Sequence, residues 1–287
     1  MDIKRRNFFK ILGVTGVALA TGNKLVANSH SGRKTEFYSI LYDAARCKGC
    51  CGCEIDCADA NVLPYPEDCA EVGVFRKTSA IQRTVVNAKQ TSKGIVYVKT
   101  QCMNCNDPAC GTACLTQAMH KTEEGPVIWR GDKCMGCRYC MVSCPFDMPR
   151  FEYNSTNPII QKCNMCYELI QQGEEPSCAY NCPNGALKFG TRRELLAEAR
   201  KRIVENPDIY VDYIYGEHEA GGTGWLYLSP IPFEELGLKM NLQKSSYPSL
   251  TKGFISSIAP VDILLPALLL GVHEAAKLKN QNREDQL

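Results

Sequence analysis

The sequence predicts an α+β fold in which short strands and short helical turns frame a twice-repeated cysteine pattern. An extension and one apolar C-terminal helix follow. Three observations lead there. Sixteen of the 18 cysteines fall into four groups of four between positions 47 and 182. The groups alternate between two spacings, so the second half of the pattern repeats the first. Short β-prone runs flank the groups, whereas sustained helical periodicity begins only after residue 190.

The N-terminus reads as an address. Residues 4–10 are Lys-Arg-Arg-Asn-Phe-Phe-Lys, Ile11 to Ala20 are mostly apolar, and Ala20 or Ala27 ends a candidate cleavage site. A charged segment, a short apolar segment and small residues make a signal peptide over residues 1–30. The Arg5-Arg6 pair with Phe8, Phe9 and Lys10 fits the twin-arginine type, so the twin-arginine translocase is an expected partner. That route exports folded proteins and suits a cofactor assembled in a reducing cytosol.

The groups are Cys47, Cys50, Cys53, Cys57; Cys102, Cys105, Cys110, Cys114; Cys134, Cys137, Cys140, Cys144; and Cys163, Cys166, Cys178, Cys182. Each opens with C-x2-C and ends with C-x3-C. Disulfide frameworks scatter their cysteines to close loops, and zinc ribbons pair one C-x2-C with another. Neither needs C-x2-C-x2-C-x3-C, the bacterial ferredoxin signature when proline follows. The third group, ending in Pro145, matches it fully; the first has Ala58 where proline would stand. Four groups of thiolates suffice for four [4Fe–4S] clusters, and a zinc-held structural scaffold is the competing class. The fold class is therefore two tandem bacterial-type two-cluster ferredoxin modules with insertions.

The repeat has compact and stretched members. Arg46-Cys47-Lys48-Gly49-Cys50 and Lys133-Cys134-Met135-Gly136-Cys137 open the compact groups. The stretched groups open with Gln101-Cys102-Met103-Asn104-Cys105 and Lys162-Cys163-Asn164-Met165-Cys166. In such ferredoxins the fourth cysteine of one group serves the other cluster. Spacing alone leaves open whether the first group pairs with the second or with the fourth. Cys51 reads as a small residue beside the ligands and Cys69 as a buried or free thiol; a bond between them is open in an oxidising compartment.

Around the cysteines, strands are expected at 95–98, 127–129, 151–153 and 187–189, with a short helix after the fourth cysteine of each group. Residues 58–94, with Pro64 and Pro66, read as a surface insertion with little regular structure. The iron–sulfur region is 36–190, and 191–250 is an extension holding one helix and some β-structure. Thr191 and Glu194 form a capping box, and Leu195, Ala199 and Ile203 share one face. Arg192, Arg193, Arg200, Lys201 and Arg202 are expected to face water. Residues 254–276 read as a membrane-spanning or membrane-docking helix despite Pro260, Asp262 and Pro266, with 277–287 a polar tail.

The fourfold pattern and the Arg5-Arg6 signal resemble the four-cluster beta subunits of bacterial respiratory oxidoreductases. The run Phe189-Gly190-Thr191-Arg192-Arg193-Glu194-Leu195-Leu196, with Gly216-Glu217 and Gly221-Gly222-Thr223, is most similar to the hydrogenase-2 and formate dehydrogenase kinds. The resemblance implies nested ligation. Cys47, Cys50, Cys53 and Cys182 would hold one cluster, and Cys163, Cys166, Cys178 and Cys57 its neighbour. Cys102, Cys105, Cys110 and Cys144 would hold a third, and Cys134, Cys137, Cys140 and Cys114 the fourth. It further implies a catalytic partner, hydrogenase or a molybdopterin enzyme such as formate dehydrogenase, and an integral-membrane quinone-reactive or cytochrome subunit. The location implied is the periplasmic side of the membrane.

A net charge of +2 gives no basic surplus for nucleic acid. No Ser-His-Asp set, catalytic Cys-His pair, P-loop or dinucleotide fingerprint appears, so the chain reads as a non-catalytic electron-transfer subunit.

Overall fold

The computed structural model describes residues 36–284. The expected export signal, with Arg5 and Arg6, lies outside the described residues.

The frame is a three-stranded sheet built from distant parts of the chain. β1 (Tyr38–Asp43) precedes the first cysteine group. β8 (Leu187–Thr191) follows the fourth and pairs antiparallel with β1, from Tyr38 opposite Thr191 to Tyr42 opposite Leu187. β9 (Trp225–Leu228), from the extension, pairs parallel on the other edge, Ile40 opposite Trp225. β1 is buried along almost its whole length, as befits a central strand covered on both faces. Tyr42, Tyr215, Trp225 and Tyr227 form the largest part of the main core, each almost fully buried.

Three hairpins fill the middle. β2 (Thr84–Thr91) pairs with β3 (Gly94–Gln101), β4 (Met119–Lys121) with β5 (Val127–Trp129), and β6 (Arg150–Phe151) with β7 (Ile160–Gln161). The second links the second and third cysteine groups, and the third links the third and fourth. The expected strands at 95–98, 127–129 and 187–189 lie within these elements; the one at 151–153 starts a residue earlier and ends at Phe151.

The insertion, the short helices and two arginines differ from expectation. The insertion 58–94 is not a loose surface loop throughout, because β2 occupies its end and buries Thr84 to Ala88. The signal was Val85-Val86 in a β-prone run, masked by the prolines upstream. Glu54 ties this strand to the first group: buried, it accepts from the backbone N–H of Val86 at 2.6 Å, from Gln82 at 2.7 Å and from Arg76 Nη1 at 3.0 Å.

The short helices also do not follow the fourth cysteines. α1 (Gly52–Ala60) carries Cys53 and Cys57; α2 (Ala109–Thr112), α3 (Tyr139–Val142) and α5 (Ser177–Tyr180) carry Cys110, Cys140 and Cys178. An x3 interval is about one helical turn. The turn therefore bridges the third and fourth cysteines rather than starting after them. α4 (Tyr167–Gln171) fills the long interval in the fourth group.

α6 (Arg192–Glu205) has the full capping box, Thr191 accepting from the Glu194 N–H and Glu194 accepting from the Thr191 N–H. Leu195, Ala199 and Ile203 are buried on one face as expected. Arg202 is not in water: it is buried and meets Asp43 at 2.9 Å. Arg192 is half-buried and donates to the carbonyls of Thr223 (3.1 Å), Gly216 (3.2 Å) and Glu217 (2.9 Å). These contacts account for the Gly-Gly-Thr run; a Cβ at Gly222 would lie 2.9 Å from that guanidinium.

α7 (Tyr247–Glu284) is 38 residues long and begins before residue 254. Its Tyr247–Lys277 part is long and apolar enough to cross a membrane, with none of its apolar window buried against the body. Its root is fixed: Ser246 donates to Asp107 at 2.6 Å, and the backbones of Ala220 and Gly221 donate to Gln243 (2.8 Å) and Lys244 (3.1 Å).

Candidate functional site

One turn recurs in all four groups. The residue before the second cysteine has a left-handed backbone: Gly49 (φ 68°), Asn104 (48°), Gly136 (72°) and Met165 (57°). That conformation folds the C-x2-C segment into a tight loop and turns N–H groups inward. At Gly49 glycine is required twice over, since a Cβ would lie 2.1 Å from the ring of Tyr97. The third residue after the fourth cysteine repeats the conformation in three groups, at Gln117, Asp147 and Gly185. The repeat seen in sequence is thus a repeat of backbone geometry.

Packing decides which groups meet. α1 lies against α5, so the first group faces the fourth; α2 lies against α3, so the second faces the third. Electrostatic neighbours agree. Cys47 senses Cys182, and Cys57 senses Cys163 and Cys166. Cys105 senses Cys102, Cys144 and Cys110, while Cys140 senses Cys114, Cys134 and Cys137. One cavity is lined by Cys57, Cys163, Cys166 and Cys178 together. Further couplings join Cys178 to Cys53, Cys163 to Cys102 and Cys110 to Cys140, the second being the strongest that Cys163 has. They link the sulfurs of the four cysteine groups in succession.

Burial grades along that succession. Cys102, Cys110, Cys140, Cys144, Cys166 and Cys178 are buried, while Cys50 and Cys137 are exposed. Burial pushes the Cys57 and Cys110 thiols up to about 12, and Cys140 and Cys144 up to about 11, with neighbouring sulfurs adding to it. So many thiolates cannot stand together in a dry interior unaided. A bound metal removes the conflict by supplying positive charge.

Backbone N–H groups are aimed at several sulfurs. Met165 donates to Cys163 Sγ at 3.4 Å, and Met119 donates to Cys114 Sγ at 3.4 Å. Cys114 is the exception to the upward trend. Burial raises it, but bonds from the Met119 backbone and the Thr116 hydroxyl, with further backbone donors, bring it below its usual value.

Sequence reasoning passed over two lysines. Lys99 on β3 is almost fully buried, donates to Thr84 Oγ1 and lies over Trp225, 5.6 Å from its ring centroid. Burial pulls its pKa down, yet Cys53, Cys178, Cys57 and Cys163 outweigh that and the net shift is upward. Lys162 is also buried and donates to the carbonyls of Val127 and Cys163. The available signal was a lysine just ahead of a cysteine pair, Lys99 within β3 and Lys162 directly after β7.

Cys51 and Cys69 form a disulfide, with Cα atoms 5.8 Å apart. Cys69 is therefore neither a buried nor a free thiol, and of the two expectations for the pair the bond is the one found. Among the described residues no three His, Cys, Asp or Glu side chains gather closely enough to hold a single metal ion. The remaining sixteen cysteines are free thiols, and four of them, Cys57, Cys163, Cys166 and Cys178, line one shared cavity with Lys99 beside them.

Such a site and fold define an iron–sulfur protein of the ferredoxin class. Residues 94–192 match the 4Fe-4S dicluster domain family. A protein of Nitratidesulfovibrio vulgaris is 39% identical over 289 aligned residues, covering 96% of this chain and 78% of the relative. The hydrogenase-2 operon protein HybA of Shigella flexneri is 34% identical over 284 residues, 82% of this chain and 84% of the relative. The iron–sulfur subunit of the nitrate-inducible formate dehydrogenase of Escherichia coli is 30% identical over 233 residues, 76% and 78%. The chain belongs to this family of iron–sulfur electron-transfer subunits.

Proposed function

We propose that the chain is the electron wire of an exported, membrane-bound respiratory complex, with four [4Fe–4S] clusters in nested ligation. The single observation that carries the reading is the packing of α1 on α5 and of α2 on α3. It favours Cys47, Cys50, Cys53 with Cys182; Cys163, Cys166, Cys178 with Cys57; Cys102, Cys105, Cys110 with Cys144; and Cys134, Cys137, Cys140 with Cys114. In this pairing the module of the second and third groups is inserted within that of the first and fourth, both inside residues 36–190, rather than following it in tandem. The C-x2-C-x2-C-x3-C-P run of the third group and the 4Fe-4S dicluster match favour iron–sulfur over zinc.

When bound, such clusters accept and release single electrons over a wide range of potential. The chain's own contribution is to hold them in line, to aim N–H groups at the sulfurs and to exclude water from the middle sets. The exposed Cys50 and Cys137 mark the two ends, where partners exchange electrons with the wire.

Residues 254–276 form the anchor, continuous with α7, and 191–250 the extension that completes the outer sheet. The Cys51–Cys69 bond favours the periplasmic side, because disulfides persist in oxidising compartments. Likeness to HybA supports a hydrogenase as catalytic partner. Formate dehydrogenase or a molybdopterin reductase is the second reading, favoured by the formate dehydrogenase relative. A quinone-reactive or cytochrome subunit in the membrane would be the other partner.

The test is purification from membranes in mild detergent, followed by hydrogen or formate as sole reductant. Co-purification with a hydrogenase and bleaching of the iron–sulfur absorbance by hydrogen are expected. Bleaching by formate alone would assign the second reading. A chain recovered only from the soluble cytoplasmic fraction, with no oxidoreductase attached, would contradict both.

A further inference from the structure

Six charged side chains are buried in the described residues: Asp43, Glu54, Lys99, Lys162, Arg202 and Glu219. Four have charge-appropriate polar partners. Asp43 meets Arg202 at 2.9 Å, Glu54 meets Arg76 Nη1 at 3.0 Å, and Glu219 accepts from Tyr213 and from the Gly216 N–H. Lys99 and Lys162 are different. Their partners are a hydroxyl, an indole face and backbone carbonyls; among the described residues neither makes a direct ion pair with a carboxylate, and Asp56 interacts with Lys99 only electrostatically. A buried cation without an anion is costly, and these hydrogen bonds leave its charge in place.

What each lysine does face is sulfur from two gatherings at once. Lys99 senses Cys53 from the first and Cys57, Cys163 and Cys178 from the second, and it lines the second's cavity. Lys162, buried and bonded to the Cys163 carbonyl at 3.1 Å, favours the thiolates of Cys163 in the second and Cys110 in the third. At the remaining junction, between Cys110 and Cys140, the described residues hold no buried lysine. The missing negative charge is therefore expected where clusters would sit.

We propose that Lys99 and Lys162 are the fixed counter-cations of the first two junctions of the wire and raise the reduction potentials of the clusters they face. The inference rests on the cluster reading above and adds which residues set the potentials. The physical reason is direct. Reduction adds one negative charge to a cluster, and a nearby ammonium in a low-dielectric interior stabilises that added charge. The cluster held by Cys134, Cys137, Cys140 and Cys114 faces neither lysine and stands as the internal control.

The experiment uses the full-length chain, purified without oxygen, as wild type, Lys99→Met, Lys99→Arg and Lys162→Met. Iron per chain is measured first, and then each cluster's midpoint potential by redox titration followed by electron paramagnetic resonance. In Lys99→Met the first and second clusters are expected to shift negative. In Lys162→Met the second and third should shift, and the fourth should hold still in both. Lys99→Arg keeps the charge and should titrate like wild type. If Lys99→Met loses iron while Lys99→Arg retains it, charge is needed for assembly, which also supports the role. Unchanged midpoints in a fully loaded Lys99→Met chain overturn the proposal, as does equal iron loss in Lys99→Met and Lys99→Arg, which would mark a packing role. A wild-type chain without iron would instead sink the cluster reading itself.

Discussion

The outer pair of cysteine groups and the inner pair do the same chemistry on different supports. The outer pair, first and fourth, sits on the three-stranded sheet against the Tyr42–Trp225–Tyr227 core. It is also fastened by the Glu54–Arg76 ion pair and by the Cys51–Cys69 disulfide. The inner pair has two four-residue helices, short hairpins and a small separate core of Cys110, Met119, Val127, Cys140 and Ile160. Around it Leu115 and Val142 are each 86% exposed. Met103, Cys144 and Phe146 of the inner pair reach the main core, so the side carrying Cys110 and Cys140, on the small core, has the least protein to hold it. On that side the cluster is therefore expected to be the main structural element.

The largest effect that would break this comparison is loss of a ligand. Cys140→Ser should empty or convert one cluster and melt the inner hairpins with it, seen as lost iron and lost hydrogen-exchange protection over residues 119–129. Cys47→Ser should also cost a cluster but leave the sheet protected. Equal loss of protection in both regions would mean the supports are alike.

Next is Trp225→Ala, which hollows the outer core. Large-to-small changes of this kind cost about 3–5 kcal/mol. The apparent melting temperature should fall while the cluster ligated by Cys134 keeps its spectrum. Cys69→Ser opens the loop across an 18-residue separation, and the chain-entropy account gives about 3 kcal/mol. Iron content should not change, because neither cysteine of the bond is a proposed ligand. The smallest effect is Thr191→Ala, which removes the cap of α6 for about 1 kcal/mol. It should appear in denaturant unfolding and leave the inner pair untouched.

Much of this was legible in the sequence because ligand spacing is a local property. The C-x2-C loops, the capping box and the inward face of α6 each follow from residues within a few positions of one another. The apolar helix was legible for the same reason, though it starts at Tyr247. Pairing of the groups was not, since it depends on β1 meeting β8 across about 150 positions of chain. The buried arginine and lysines were missed on similar grounds. Arg202 and Lys99 look solvated in a one-dimensional pattern, and only tertiary contact with Asp43 or with the cysteines brings them inside. Gly49 and Gly136 announced the left-handed turn, but Asn104 and Met165 adopt it without glycine and so hid the full repeat.

The most direct measurement is the metal itself. Anaerobically purified full-length chain should carry about sixteen irons, four per cubane, with no stoichiometric zinc, and reduction by dithionite should give overlapping paramagnetic signals of interacting clusters. Zinc in place of iron, or reduction that leaves no such signal, would contradict the account.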